Sequence, residues 1–166
     1  MAGLSQDDII GYDKLDPFKR ECTMLGRLTN YLLLPQAREV AWSRGESCYV
    51  IDHGDFYTGH VIEGLGTKNR IGELMAMIAR AYDGRDIHPL WARNVAIDCV
   101  AMIVNDMITL GIPPFQIAMH LAVGDSAWFD NQDRSALLAE GWQWACIQSD
   151  AVWGGGETPT LKEIIE

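Results

Sequence analysis

The spacing of apolar and polar positions changes several times along this chain, which predicts a protein that mixes helices with strands. Apolar side chains recur every three or four residues over Ile71–Tyr82, and a longer apolar stretch covers residues 94–110, so both segments are predicted helices. Short apolar runs flanked by glycine or proline predict four strands, at Ser47–His53, Tyr57–Glu63, Phe115–Val123 and Ser149–Trp153. We therefore expect an α/β or α+β fold in which helices flank a mixed sheet.

Residue types at helix ends predict further helices nearer the two termini. Asp16 and Pro17 have the character of an N-cap and a first helical position, for a helix that runs through Phe18–Leu28. A short helix is expected around Gln36–Trp42, and a longer one over Asp130–Gln148.

The composition fits one folded domain and excludes several classes of partner. The chain has 166 residues, 48% of them hydrophobic, and a formal net charge of −10, which argues against the basic surface that nucleic-acid binding needs. No apolar run reaches the roughly 18 residues of a membrane span, and the first residues lack the features of a signal peptide. Four widely spaced cysteines without a Cys-x-x-Cys pair predict reduced thiols, so we expect a cytoplasmic protein.

The helix predicted over residues 94–110 carries polar side chains where a plain core helix would carry none. At about 100° per residue, Asp98, Asn105 and Thr109 fall within roughly 20° of one line, with Asp106 about 80° away. A carboxylate within an apolar surface is costly unless a cation or a hydrogen-bond donor meets it. The line predicts a hydrated metal ion or a metal–phosphate complex beside this helix, although an N-cap or a turn hydrogen bond would explain each residue singly.

Two glycine-rich segments add groups that bind phosphate or metal. The first, Glu63–Lys68, follows a predicted strand, and its glycines let backbone amides approach an anion. It lacks the spacing of a P-loop, and a strand-to-helix turn with a surface lysine is an alternative interpretation. The second segment, Gly154–Gly156 followed by Glu157, offers close packing or ligand approach and a carboxylate for a metal, with a flexible linker as the alternative.

In this order the segments resemble the N-terminal domain of the aminoimidazole ribonucleotide synthetase superfamily, which includes formylglycinamide ribonucleotide amidotransferase, selenophosphate synthetase and thiamine-monophosphate kinase. The synthetase has Asp-Gly-Val-Gly-Thr-Lys where this chain has Glu63–Lys68, and Gly-Ile-Asp-Leu-Val-Ala-Met-x-Val-Asn-Asp where it has Ala96–Asp106. Its Gly-Gly-Glu-Thr segment corresponds to Gly155–Thr158. The resemblance covers roughly residues 47–160, so we expect an arm with helices over residues 1–46 and a synthetase-like domain over residues 47–166.

The resemblance implies a domain that binds ATP and Mg²⁺ and works as a homodimer on a small-molecule substrate. In the family, strands of two N-terminal domains form a barrel across the dimer interface, and a second α/β domain completes the active site; we expect that domain to follow Glu166, so that these residues alone bind ATP without turnover. The implied reaction is phosphorylation of an amide oxygen before ring closure in purine biosynthesis. The implied ATP-binding residues are Gly64, Gly66, Thr67, Lys68, Asp98 and Asn105, and the implied metal ligands are Glu63, Asp106 and Glu157.

This chain departs from the synthetase pattern in ways that leave the substrate open. Glu63 replaces an aspartate, and about 30 residues separate Lys68 from Asp98, which is more than in the synthetase. Glu157 is followed by Thr-Pro-Thr-Leu rather than Ala-Glu-Met-Pro-Gly. Two alternatives therefore remain: a related ATP-dependent phosphotransferase with another acceptor, and a non-catalytic dimerisation or nucleotide-binding module.

Overall fold

The computed structural model describes residues 12–65 and 68–165, with side chains from residue 15 onward. The chain divides into two compact units, Met1–His60 and Val61–Glu166. The division between residues 46 and 47 was expected from the family resemblance, and it stays a prediction.

The described part of the first unit contains one α-helix and a three-stranded antiparallel sheet. Helix α1 spans Tyr12–Arg27, and the strands span Arg38–Glu39 (β1), Tyr49–Asp52 (β2) and Tyr57–His60 (β3). The strands lie in the order β1-β2-β3, and β2 and β3 form a hairpin. A turn joins the two strands, and in it the His53 amide donates to the Phe56 carbonyl oxygen at 2.9 Å.

Two helix predictions in the first unit were wrong. Helix α1 begins at Tyr12, so Asp16 is not its N-cap and Pro17 lies inside it. Because proline has no N–H, the helix forgoes one hydrogen bond at that position. Residues Gln36–Trp42 do not form an α-helix: they contain β1, whose backbone pairs with β2, and the start of a 3-10 helix over Ala41–Ser43.

The core of the first unit includes a buried hydroxyl group. Ser43, Cys48 and Val50 are all buried. The Val50 N–H donates to Ser43 Oγ at 2.9 Å, and this hydroxyl donates to the Val40 carbonyl oxygen at 2.8 Å. The buried hydroxyl is therefore satisfied, and it ties the 3-10 helix to β2.

The described part of the second unit contains three α-helices and one pair of strands. The helices span Lys68–Asp83 (α2), His88–Thr109 (α3) and Gln132–Gln148 (α4), and the strands span Gln116–His120 (β4) and Val152–Glu157 (β5). Helix α3 begins at His88, six residues before its predicted start. At this observed start an Asp86 carboxylate oxygen accepts from the His88 amide, and Pro89 suits the first turn. Helix α4 begins close to its predicted start and is capped by Asn131, whose side chain accepts from the Arg134 amide at 3.0 Å.

The core of the second unit lies between α3 and α4. Ala92, Ala96 and Val100 follow one face of α3 at helical spacing. Where the helices cross, a Cβ atom on Gly141 of α4 would lie 2.4 Å from the Arg93 carbonyl oxygen, so the close backbone approach requires glycine. The α4 residues of this core are Leu138, Trp142, Ala145 and Cys146.

The described strands form two separate small sheets, and the single mixed sheet predicted from the sequence was wrong. Strand β4 pairs with β5 in parallel, with a shift of register between Ile117 and Met119. Gly154–Gly156, expected just beyond a strand, form the middle of β5. A Cβ atom on Gly156 would lie 1.9 Å from the Met119 carbonyl oxygen, so the close packing expected of these glycines is confirmed there. The mixture of helices and strands is also as predicted.

Helix α2 confirms the helix predicted over Ile71–Tyr82, but its apolar side is exposed. Its buried residues are the small Gly72 and Ala76, and the Trp91 indole of α3 packs directly on Gly72. The exposed apolar side of α2, with 43–55% of each residue accessible, consists of Ile71, Leu74, Met75 and Ile78.

Neither α2 nor any other helix of the described residues has the length and apolarity needed to cross a membrane.

Candidate functional site

The glycine segment Glu63–Lys68 has both of its ends on helix α3. Glu63 contacts Asp106, and Lys68 forms an ion pair with Asp98. Asp98 and Asp106 are eight residues apart, which corresponds to about 12 Å along a helix. Glu63 therefore lies nearer the C-terminal end of α3 and Lys68 nearer its N-terminal end, and four of the predicted site residues share one surface.

The carboxyl groups of Glu63 and Asp106 lie within hydrogen-bond range of each other. This contact raises the pKa of Glu63, and a small loss of solvation and the negative charge of Asp106 raise it further, although the Glu63 side chain is exposed. The Gly64 amide donates to Glu63 and offsets part of that effect. Because two carboxylates in contact repel each other unless a proton or a cation lies between them, this pair is a natural binding point for a cation.

Lys68 and Asp98 form the second charged contact of the site. The distance from Lys68 Nζ to Asp98 Oδ2 is 3.2 Å, and both side chains are about half exposed. Lys68 is also the first residue of α2, a helix of 16 residues. The positive end of a helix dipole and an ammonium group therefore coincide at this point, which is an arrangement that attracts anions.

Cys99 was not predicted as part of this surface, yet it lies among the same charges. Burial raises the pKa of the Cys99 thiol, the negative charges of Glu63 and Asp98 raise it further, and Lys68 lowers it. The thiol thus lies within electrostatic reach of both charged contacts. Helical spacing could have indicated that Cys99 belongs to this surface, because Cys99 and Asp106 are seven residues apart and so lie on one line of α3.

The other predicted site residues are less connected to this surface. Asn105 is exposed on α3, and the space around Gly64 is open, so its backbone is accessible. Gly66 and Thr67 lie outside the described residues. Glu157 is exposed at the end of β5, and it is not among the groups that shift the pKa of Glu63.

A shallow groove of about 230 Å³ lies beside the strands on which Glu157 is found. Trp153 forms one wall, and its indole N–H donates to the Gly155 carbonyl oxygen at 3.0 Å. The lining residues are Met119, Trp153, Gly155, Gly156 and Thr158. The groove is thus lined by apolar side chains, backbone and a threonine, and none of its lining residues is charged.

The charged surface fits a magnesium ion that is held mainly by phosphate. Among residues 12–65 and 68–165, no group of three or more histidine, cysteine or acidic side chains is arranged to hold a metal by itself. Mg²⁺ keeps several waters and is commonly bound through one or two carboxylates together with substrate phosphates. The Glu63–Asp106 pair matches that donor set, with Lys68 nearby for the phosphate charge.

Comparison with known proteins identifies relatives over most of the chain. The sequence profile described as "AIR synthase related protein, N-terminal domain" matches residues 73–165, which are more than half of the chain. A phosphoribosylformylglycinamidine cyclo-ligase of Thermoplasma volcanium is 34% identical over 116 residues, covering 70% of this chain and 29% of the relative. The cyclo-ligase of Methanobrevibacter smithii is 30% identical over 129 residues, covering 78% of this chain and 33% of the relative.

A bacterial relative gives the same result over a shorter range. The phosphoribosylformylglycinamidine cyclo-ligase of Streptococcus sanguinis is 34% identical over 99 residues, covering 60% of this chain and 24% of the relative. The chain thus spans about a third or less of the length of these curated relatives. The helix with Asp98 and Asp106 and the segment with Glu157 both lie inside the range of the profile match, and on that match the chain belongs to the family of AIR synthase related proteins, as its N-terminal domain.

Proposed function

We propose that this domain binds ATP with Mg²⁺ as part of a ligase that phosphorylates an amide oxygen before ring closure in purine biosynthesis. The named relatives are cyclo-ligases, and this chain shares a third of its residues with them over the aligned ranges. We expect a cytoplasmic enzyme that acts on a small molecule.

The observation that carries the proposal is the contact between the Glu63 and Asp106 carboxyl groups. At neutral pH this contact is unfavourable on its own, and the raised pKa of Glu63 is the sign of that cost. A divalent cation between the two groups would turn the repulsion into attraction. Acidic residues are often arranged in this way where an enzyme holds a metal–nucleotide complex.

Phosphoryl transfer needs positioning and charge neutralisation more than a strong nucleophile, and the charged groups of this site are of the kind that would supply both. Mg²⁺ held by the Glu63 and Asp106 carboxylates would neutralise the negative charge of the phosphate oxygens. Lys68 would bind a phosphate oxygen at the start of α2, and the open backbone at Gly64 would allow close approach of the triphosphate. Gly66, Thr67, Asn105 and Glu157 keep their predicted roles in phosphate or metal binding as part of this proposal.

We further propose that the domain acts as a homodimer, with strands of two copies forming a barrel. The two small sheets support this, because three-stranded and two-stranded sheets leave unpaired strand edges. In β5 every residue is exposed, and three of its six residues are glycines with no side chain to block pairing.

A related phosphotransferase with another acceptor is the second candidate. The observation that favours it is the segment between Lys68 and Asp98, which forms all of α2 and the first part of α3. An added helix beside the charged surface would change which acceptor reaches the phosphate. A non-catalytic nucleotide-binding or dimerisation module is the outcome if no turnover is found in the full-length protein.

Calorimetry tests the nucleotide-binding proposal directly. The chain is titrated with ATP in excess MgCl2 and again in EDTA, using the wild type, Glu63→Gln, Asp106→Asn and the control Asp130→Asn. We expect binding that requires Mg²⁺, and a loss of about tenfold or more in affinity for the two site variants, as for other metal-site substitutions. Absence of binding by the wild type would rule the proposal out in favour of a structural module.

A further inference from the structure

We infer that Asp98 is the partner of Lys68 in the nucleotide-free site, where it competes with phosphate for the lysine, and that it does not bind the magnesium ion. The inference rests on the proposed function, because it assigns separate tasks to the two acidic residues of α3. Asp106 acts with Glu63 on the cation, whereas Asp98 holds the Lys68 ammonium group until a phosphate replaces it.

The partners of the two acidic residues differ in charge. Lys68 Nζ lies 3.2 Å from Asp98 Oδ2, so the negative charge of Asp98 is already balanced. The groups that influence Glu63 are the Asp106 carboxyl group and the Gly64 amide, and no basic side chain is among them. The unbalanced negative charge is therefore at Glu63 and Asp106, and a divalent cation binds most favourably there.

Helix geometry separates Asp98 from an ion bound at Asp106. Eight residues of α-helix rise by about 12 Å and turn the second residue about 80° away from the first. Oxygen ligands of Mg²⁺ lie about 2.0–2.1 Å from the ion, so two ligands of one ion are at most about 4 Å apart. Aspartate side chains are too short to close a separation of 12 Å to that distance. One ion between Glu63 and Asp106 thus leaves Asp98 out of its coordination shell.

The ion pair is weak enough to exchange. Side-chain exposures of 49% for Lys68 and 55% for Asp98 place both groups in contact with water. An exposed pair of this kind changes an equilibrium constant by no more than about fivefold. A triphosphate offers Lys68 stronger, charge-assisted hydrogen bonds. Lys68 therefore leaves Asp98 when nucleotide binds, and the carboxylate of Asp98 competes with the phosphate for the lysine.

A double-mutant cycle tests this role. The affinity for ATP in excess MgCl2, and the MgCl2 concentration at half-maximal binding, are measured for the wild type, Asp98→Asn, Lys68→Gln and the double variant. We expect Asp98→Asn to raise the affinity by up to about fivefold, because the competitor is removed, and to leave the magnesium midpoint unchanged. With Lys68→Gln already present, Asp98→Asn should change the affinity by less than about twofold. Asp98→Glu, which keeps the charge, should keep the wild-type affinity.

Two results would overturn the inference. If Asp98→Asn weakens binding and raises the magnesium midpoint in both backgrounds, Asp98 is a metal ligand. If its effect is the same with and without Lys68, the two side chains are not coupled in binding. Failure of the proposed function is a separate outcome, because it shows in the wild type alone as absence of Mg²⁺-dependent ATP binding.

Discussion

The carboxyl group of Glu63 is in hydrogen-bond contact with the carboxyl group of Asp106, although the two residues come from separate segments of the chain. Contacts between two acidic groups are rarely kept for stability, because like charges in contact are destabilising. We therefore relate the pair to the proposed cation site. The free energy of unfolding that its repulsion costs is measurable in the absence of metal.

In metal-free buffer, the contribution of Glu63 to stability should fall as pH rises past the ordinary pKa of glutamate. The pKa of Glu63 is raised from 4.5, so the folded protein holds this proton more tightly than the unfolded chain does. The resulting stabilisation is complete below about pH 4.5 and is lost as pH rises through the raised value. Asp106→Asn removes the like charge and should raise the stability at pH 7 by about 0.5 kcal/mol.

Thermal unfolding in EDTA across this pH range measures the effect, with Asp130→Asn as the matched control. The control should follow the wild-type pH dependence, whereas Asp106→Asn should lose the part of it that comes from the Glu63–Asp106 pair. A lower unfolding temperature for Asp106→Asn than for the wild type at pH 7 would contradict the assigned repulsion.

The pair formed by Glu39 and Arg44 predicts the opposite pH dependence in the first unit. Arg44 Nε donates to Glu39 Oε1 at 2.8 Å, and only 7% of the Glu39 side chain is exposed. The hydrogen bond from Arg44 is the main cause that lowers the pKa of Glu39, and a hydrogen bond from Asn30 adds to it. This contribution is present above the ordinary pKa of glutamate and is lost as pH falls through the lowered value.

We expect Glu39→Gln to destabilise the first unit by about 2 kcal/mol at pH 7, because Arg44 is left without its charged partner. Hydrogen exchange of the β1–β2 amides in the variant, with the exposed Glu46→Gln as control, measures the loss. The difference between Glu39→Gln and the wild type should shrink as the pH is lowered. Equal protection of these amides in the variant and the wild type at pH 7 would refute the prediction.

Two neighbouring glycines of β5 should respond differently to alanine. The φ angles of Gly155 and Gly156 are 112° and 157°, so both substitutions strain the backbone. A Cβ atom at position 155 meets open space, whereas one at position 156 would lie 1.9 Å from the Met119 carbonyl oxygen. Gly156→Ala should therefore cost about 1–3 kcal/mol more than Gly155→Ala. Exchange of the Leu121 amide, which donates to the Glu157 carbonyl oxygen, reports the loss of β4–β5 pairing.

The contact between Gly72 and Trp91 gives a prediction for the packing of α2 on α3. A Cβ atom on Gly72 would lie 1.4 Å from Trp91 Nε1, so Gly72→Ala must displace the indole ring. We expect a loss of about 1–3 kcal/mol and a red shift of tryptophan fluorescence. Gly64→Ala, which has open space around the new atom, serves as the control. Adding Trp91→Phe to Gly72→Ala should restore part of the stability, since the clashing atom is removed.

Local patterns predicted most elements of this fold. Helices α2 and α3 follow from apolar spacing, α4 follows from the residue types at its start, and strands β2 and β3 follow from short apolar runs. The failures have physical causes that short-range patterns do not contain. Gln36–Trp42 has no feature that excludes a helix, but its backbone finds a partner in β2, which lies further along the chain.

The candidate site was predicted in part for a similar reason. Helical spacing placed Asp98 and Asp106 on one helix, and the resemblance supplied Glu63 and Lys68. The exposure of Asp98 and its ion pair with Lys68 depend on where the glycine segment lies, which no periodicity encodes. The surroundings of Cys99 are of the same kind, because they arise from the contacts of two other segments.

Anchoring of the Glu63–Lys68 segment at both ends sets a constraint on its length. Four residues connect the two anchor points on α3, and these points are fixed by the rigid rise of a helix. Substitutions within the connection change its chemistry but leave its span intact. Deletion of a residue instead shortens the reach of the connection, and we expect it to weaken the acidic contact or the ion pair. The two contacts on α3 thus set a lower limit on the number of residues between them.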